Sequence, residues 1–101
     1  MQKWRVELDE KAKFELMELK KSGELSQGDI EVLRKWVSEI EEGGFDAIKN
    51  SPFWNDHPLH SDWEGHRSSS FSYKGRIIYK VIDNKILVMV VRITVDHDYR
   101  R

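Results

Sequence analysis

Residues 86–91 constrain the fold more than any other part of the chain, because they form a run of consecutive apolar residues. A strand buried on both faces of a sheet has this pattern. A short buried helix could produce it too, but the β-branched residues in the run favour a strand. The run is about a third of the length that a membrane-spanning helix needs. We therefore expect a soluble protein built around a buried strand.

Length and composition indicate one domain. The chain has 101 residues, which predicts a single domain over residues 1–101. The absence of cysteine excludes disulfides, thiolate metal ligands and cysteine nucleophiles. The first ten residues lack the apolar core of a signal segment. We expect a cytoplasmic protein that does not enter a membrane.

Two further strands are predicted in the second half of the chain. Ser69, Phe71 and Tyr73 alternate with the serines at 68, 70 and 72, and residues 76–82 predict the next strand. The Lys-Gly pair at 74–75 fits a two-residue hairpin turn, which would place Tyr73 directly opposite Arg76. With the apolar run, these strands form an antiparallel meander.

The first half of the chain predicts one strand and two helices. Residues 2–8 alternate between apolar and polar, as in a half-buried strand. Asp9 can cap a helix that ends at the Ser-Gly pair 22–23, and a capping box at Ser26 can begin a second helix that ends at glycines 43–44. The predicted fold is α+β with the order β-α-α-β-β-β. A helical hairpin covers one face of an antiparallel sheet, which the first strand joins, and the other face stays partly open.

Three histidines and two aspartates lie close together in the irregular segment between the helices and the meander. They are Asp56, His57, His60, Asp62 and His66. A His-x-x-His pair with nearby carboxylates can hold zinc. Structural zinc sites normally include cysteine, however, and Pro58 disturbs the spacing. We therefore predict loop histidines in water and no metal site.

Basic residues on the predicted meander could bind phosphate groups, because guanidinium and ammonium groups suit phosphate oxygens. They are Arg67, Lys74, Arg76, Lys80 and Arg92. The alternative is ordinary solvated charge, which also protects sheet edges. The net charge of −1 does not by itself predict a nucleic-acid partner, although residues 51–101 carry eight basic residues against six acidic ones.

The last six residues could also carry chemistry. His97 can transfer a proton near neutral pH, and Tyr99 can donate a hydrogen bond or stack on a base. A frayed polar tail is the alternative interpretation.

Taken in order, these motifs resemble toxins of the RelE/ParE superfamily from bacterial type II toxin–antitoxin systems. The resemblance depends on the predicted element order and on short stretches at residues 57–59, 63–67, 73–81 and 97–99. The first two are most similar to the YafQ-like branch, the third to RelE and YoeB, and the last to HigB and YafQ. Ser70 stands where the YafQ-like branch has another active-site histidine.

This resemblance implies an endoribonuclease that cleaves mRNA, usually in the A site of the ribosomal 30S subunit, and that a cognate antitoxin neutralises. The predicted catalytic residues are His57, Arg76, His97 and Tyr99, and the predicted RNA-binding residues are Arg67, Lys74, Lys80 and Arg92. In this scheme His97 and His57 are complementary proton-transfer groups, one as base and the other as acid in either order. Arg76 contacts the scissile phosphate and Tyr99 positions the nucleotide. The ribose 2′-OH is the nucleophile, so neither a metal nor another cofactor is required.

Two other functions are open to a chain of this kind. ParE-like members of the superfamily poison DNA gyrase by binding and cut nothing. They typically lack the histidine and arginine set, so His57, Arg76 and His97 favour the nuclease. The chain could also be a plain binding module that only its antitoxin holds. Because residues 1–50 carry twelve acidic residues against nine basic ones, we expect a basic antitoxin segment on the helices.

Overall fold

The computed structural model describes residues 3–95, and each structural statement below concerns that part of the chain. The α-helices are α1 (Glu10–Ser22), α2 (Gln27–Gly43) and α3 (Phe45–Lys49). The strands are β1 (Arg5–Leu8), β2 (His57–Pro58), β3 (Arg67–Ser70), β4 (Arg76–Ile82) and β5 (Leu87–Thr94). The α+β class and the predicted order are confirmed, with α3 and β2 added inside the segment predicted to be irregular.

The five strands form one sheet in the order β1-β5-β4-β3-β2. The predicted meander of β3, β4 and β5 is antiparallel, but β1 runs parallel to β5. The prediction of a wholly antiparallel sheet was therefore wrong at this pair. Parallel neighbours need a long connection, and the helices together with β2, β3 and β4 separate β1 from β5 along the chain.

The predicted hairpin turn between β3 and β4 was also wrong. Arg76 pairs with Ser70 rather than with Tyr73, so residues 71–75 form a longer connection. Phe71 is buried inside this connection, and its backbone N–H donates to the Gly75 carbonyl over 3.1 Å. Burial of the Phe71 ring closes the loop around a side chain, which a two-residue turn has no room to do.

Local signals set the helix ends as expected. The Asp9 carboxylate accepts a hydrogen bond of 2.9 Å from the Ala12 N–H and caps α1. The capping box of α2 is complete, because Ser26 and Asp29 each accept from the other's backbone N–H over 3.0 and 3.1 Å. Such a cap stabilises a helix by about 1 kcal/mol.

The helices cover one face of the sheet, as predicted, and we call it the helix face. Its buried core joins residues of α1 and α2 to residues of β4 and β5, among them Ala12, Trp36, Ile40, Ile77, Tyr79, Val88 and Val90. Burial of this much apolar surface is the main driving force for folding. None of the helices within residues 3–95 combines the length and the apolar character needed to cross a membrane.

Candidate functional site

Strand register brings several of the predicted site residues onto the opposite face of the sheet. His57 pairs with Ser68, Ser68 with Ile78, and Ile78 with Arg92, so one row crosses four strands. Residues directly opposite each other in a sheet share a face. We call this face the His57 face.

Two more predicted residues share the His57 face because side chains alternate along a strand. Arg76 and Lys80 lie two residues to either side of Ile78 on β4, and the register pairs them with Thr94 and Met89. His57 and Lys80 are exposed, whereas Ile78 is buried. The face therefore presents basic groups around a buried apolar centre.

The His57 ring makes a hydrogen bond to its own loop. Its Nδ1 lies 3.0 Å from the Asn55 carbonyl oxygen. A carbonyl oxygen only accepts hydrogen bonds, so Nδ1 is the nitrogen that donates. Nε2 of the neutral ring is then the unprotonated nitrogen, which can accept a proton.

Arg76 organises the connection between β3 and β4. Its Nη1 donates to the carbonyl oxygens of Ser72, Tyr73 and Gly75 over 3.3, 3.2 and 2.9 Å. Lys74 is exposed in this connection, and Tyr73 is 91% exposed. Arg76 thus links the His57 face to a loop that carries an exposed cation and an exposed aromatic ring.

Arg92 is opposite Ile78 in the row that crosses the sheet, but its guanidinium is directed to a carboxylate of α1 and not to the other basic groups of the His57 face. Its Nε donates to Glu15 Oε2 over 2.7 Å, and the Ile93 N–H donates to Glu15 Oε1 over 3.1 Å. The bond from the Ile93 N–H gives a backbone donor of β5 a partner beyond the point where β1 ends. The positive charge of Arg92 is therefore largely balanced by Glu15.

Arg67 lies on the helix face, opposite to the face that carries Arg76 and Lys80. Its Nε donates to Asp56 Oδ1 over 2.7 Å, and the guanidinium carbon lies 5.2 Å from the centre of the Phe45 ring. Burial lowers the pKa of the Arg67 guanidinium, but the hydrogen bond and charge of Asp56 outweigh this effect and leave that pKa above its ordinary value. An RNA contact by Arg67 stays a prediction.

Asp56 is the centre of a buried polar network that the sequence did not reveal. Its carboxylate accepts from Arg67, from Ser69 Oγ over 2.7 Å and from the Tyr79 hydroxyl. Trp36 Nε1 in turn donates to Ser69 Oγ over 3.0 Å. Burial raises the pKa of the Tyr79 phenol far above its ordinary value, and the charge of Asp56 raises it further.

The remaining predicted residues do not extend the described site. His97 and Tyr99 lie outside residues 3–95, so their catalytic roles stay predictions. His60 is exposed and His66 partly buried. Within the described part of the chain, no group of three or more histidine, aspartate or glutamate side chains could hold a metal ion.

Comparisons with known proteins place this geometry in a recognised fold. No protein-family model matches the sequence, and no curated protein matches it significantly. Solved structures do match. YafQ from Escherichia coli superposes with a TM-score of 0.70 at 20% identity, covering 89% of this chain and 90% of that one.

Other solved toxins match over similar lengths. YafQ in the DinJ–YafQ toxin–antitoxin complex has a TM-score of 0.69 at 18% identity, with 91% of each chain covered. A metal-bound toxin from Helicobacter pylori has a TM-score of 0.69 at 20% identity and covers 93% and 94% of the two chains. A YoeB/ParE toxin from Agrobacterium tumefaciens has a TM-score of 0.64 at 14% identity and covers 88% and 94%.

The chain therefore has the RelE-like toxin fold. The predicted resemblance to the RelE/ParE superfamily is confirmed at the level of the fold. Among the particular proteins compared, the fold is shared with E. coli YafQ across about nine-tenths of both chains.

Proposed function

We propose that this protein is the toxin of a type II toxin–antitoxin pair and that it cleaves mRNA by attack of the ribose 2′-OH. The observation that carries the proposal is the exposed His57 imidazole, whose Nδ1 is hydrogen-bonded to the Asn55 carbonyl oxygen. The ring shares a sheet face with Arg76 and Lys80 in a RelE-like fold. A general base and cations on one face are what this cleavage requires.

His57 is assigned the role of general base. Its Nε2 takes the proton of a ribose 2′-OH, and the 2′-oxygen bonds to the adjacent phosphorus. The bond from phosphorus to the 5′-oxygen breaks, and an acid protonates that oxygen. The products are a 2′,3′-cyclic phosphate and a free 5′-OH. His97 is the proposed acid, as the family resemblance implies.

We assign to Arg76 and Lys80 the stabilisation of the negative charge that develops on the phosphate. Positive groups fixed near a developing oxyanion lower the barrier, and losing one typically slows a reaction by about 10²–10³-fold. The hydrogen bonds of Arg76 to three loop carbonyls hold its guanidinium in one place before substrate arrives. Binding to the ribosomal A site would supply the mRNA as a single strand.

A cognate antitoxin is the proposed partner, since the neighbour YafQ is seen in a toxin–antitoxin complex with DinJ. The alternative is a ParE-like toxin that poisons gyrase without cutting RNA. A solved structure named as a YoeB/ParE toxin has the same fold, which supports that alternative.

The test is expression of wild-type and variant chains in cells, with primer extension on a reporter mRNA. Wild type should arrest growth and create discrete new 5′ ends. His57→Ala and Arg76→Ala should each reduce these ends by about 10²-fold or more. His60→Ala is the matched control, because His60 is an exposed histidine of the same segment.

Each other outcome has a definite meaning. Growth arrest with intact mRNA would support the gyrase alternative. Absence of arrest by the wild-type chain would support a plain binding module. Equal loss of cleavage in His60→Ala and His57→Ala would contradict the assignment of His57 as the base.

A further inference from the structure

Among the charged groups that form ion pairs within residues 3–95, the Asp56 carboxylate is the most buried. Its side chain is 0% exposed, and the Arg67 side chain that pairs with it is 20% exposed. Donors from β3 and β4 converge on it, namely Arg67, Ser69 and Tyr79. The carboxylate therefore fixes the position of its own backbone relative to two strands of the sheet.

That backbone is the segment that carries His57. Asn55 adopts a left-handed conformation with φ of 46°, and its carbonyl accepts the His57 Nδ1–H. Asp56 then turns its side chain towards the helix face, and the next residue, His57, lies on the opposite face. β2 is only two residues long, so few backbone bonds hold the segment in place. The flanking residues Trp54 and Leu59 are buried, and between them the Asp56 side chain anchors residues 55–57.

Stability alone does not account for this network. Burying a carboxylate and a guanidinium costs several kcal/mol of desolvation for each ion, and apolar residues of similar volume are often equally stable or more stable. A buried network with every bond made instead holds its members in one arrangement. The group whose position this arrangement fixes, and that is itself exposed to solvent, is the His57 imidazole.

We propose that Asp56 and Arg67 are positioning residues for His57, and that Arg67 acts through Asp56 rather than on RNA. Asp56 pins residues 55–57 so that the Asn55 carbonyl holds Nδ1 and leaves Nε2 as the proton acceptor. Arg67 balances the buried charge and orients the carboxylate. This inference deepens the proposed function, since it assigns the residues behind the proposed base.

The first test reads the His57 ring directly by long-range ¹H–¹⁵N NMR of the purified protein, which distinguishes the two neutral tautomers. Wild type should show His57 with the proton on Nδ1. Asp56→Asn should shift several-fold more of the ring to the Nε2–H form, because the segment loses its anchor. Asp62→Asn makes the same chemical change at an exposed carboxylate of the neighbouring segment and should leave His57 unchanged.

A milder variant keeps the test decisive if Asp56→Asn does not fold. Tyr79→Phe removes one donor to Asp56 but keeps the ring that packs against Trp36 at a centroid distance of 5.2 Å. It should shift the His57 tautomer in the same direction and by less. A folded Asp56→Asn or Tyr79→Phe protein with the wild-type His57 tautomer would overturn the proposal.

The second test separates positioning from RNA contact. Binding of a 2′-O-methyl oligonucleotide, which cannot be cleaved, is measured against salt concentration. Each phosphate contact contributes about 0.7 to the slope of log affinity against log salt for a single strand. The Asp56→Asn/Arg67→Gln double variant should keep the slope of Asp56→Asn, whereas Arg76→Gln should lower the wild-type slope by about that amount. A lower slope in the double variant would overturn the assignment of Arg67.

Failure of the proposed function would be recognised separately. If the wild-type chain neither binds nor cleaves RNA, the nuclease proposal fails. The NMR comparison still decides whether Asp56 positions His57, because it requires no substrate.

Discussion

Ser68 and Ser69 are adjacent in β3 and lie on opposite faces of the sheet. Both are buried, but their hydrogen bonding differs. Ser69 is 0% exposed, accepts from Trp36 and donates to Asp56. Ser68 is 1% exposed, and within residues 3–95 its Oγ has no hydrogen-bond partner. A buried hydroxyl without a partner has lost its water and gained nothing in return.

Alanine substitutions at these two serines should therefore have different effects. Ser69→Ala should lower the free energy of unfolding by about 1–3 kcal/mol, because it leaves Trp36 and Asp56 short of a partner. Ser68→Ala should leave stability unchanged or raise it by up to about 1 kcal/mol. Urea denaturation of the two variants measures the difference. Equal losses would mean that Ser68 also makes a bond in solution.

Arg67 and Arg76 show how much depends on strand alternation. Both begin strands, yet Arg67 lies on the helix face and Arg76 on the His57 face. A signal was present in the sequence, because Arg67 has the same parity as the aromatic residue Phe71, whose side chain is buried. Grouping the basic residues by charge alone overlooked it.

At the scale of elements, the end of α2 depends on a glycine with a close neighbour. Gly44 has φ of 76° and ψ of −175°, a conformation open essentially to glycine alone. A Cβ there would lie 2.8 Å from Trp4 Nε1. Gly23 ends α1 with φ of 80°, and a Cβ there would meet nothing within 4 Å. Both glycines therefore have a positive φ, but only Gly44 has a neighbouring side chain in the space that a Cβ would occupy.

Alanine at Gly44 should cost about 3 kcal/mol of stability, because backbone strain adds to displacement of the Trp4 ring. Alanine at Gly23 should cost about 1 kcal/mol, since only the left-handed conformation is disfavoured. Thermal or urea unfolding of both variants measures these costs. Equal costs would show that the Trp4 contact does not limit the substitution.

The connection between β3 and β4 shows why turn prediction failed. Lys74-Gly75 has the composition of a tight turn, but Gly75 is used for close packing. A Cβ on Gly75 would lie 2.5 Å from Phe71 Cζ and from Ser72 Oγ. The loop length was decided by the place of the Phe71 ring in the core, which local composition does not reveal.

For the whole molecule, Tyr79 links stability to alkaline pH. Its pKa is raised in the folded state, so the folded chain keeps the phenolic proton at pH values where the unfolded chain loses it. The associated stability is fully present below the ordinary tyrosine pKa of about 10 and decreases as the pH rises above it. The decrease should approach about 1.4 kcal/mol per pH unit from this group.

Denaturation of wild type and Tyr79→Phe between pH 9 and pH 11 measures this contribution. The variant should be less stable at pH 9, where it lacks the bond to Asp56, and should lose less stability on going to pH 11. Tyr73→Phe, which removes a phenol that is 91% exposed, is the control and should keep the wild-type slope. Parallel profiles for wild type and Tyr79→Phe would contradict the linkage.

Much of the fold was predictable because its signals are local. The caps at Asp9 and Ser26 depend on residues within three positions along the chain. The alternation of β1 and the apolar run of β5 report burial directly. Such patterns identify elements, and the need to bury apolar stripes then limits how the elements can pack.

The sequence by itself thus determined the α+β class, the helix ends and the buried strand. Only the tertiary structure decided that β1 runs parallel to β5, that Arg76 faces Ser70, and that Asp56 binds Arg67, Ser69 and Tyr79. These features join residues far apart in the chain. They depend on which side chains find room in a shared core, and no local pattern encodes that.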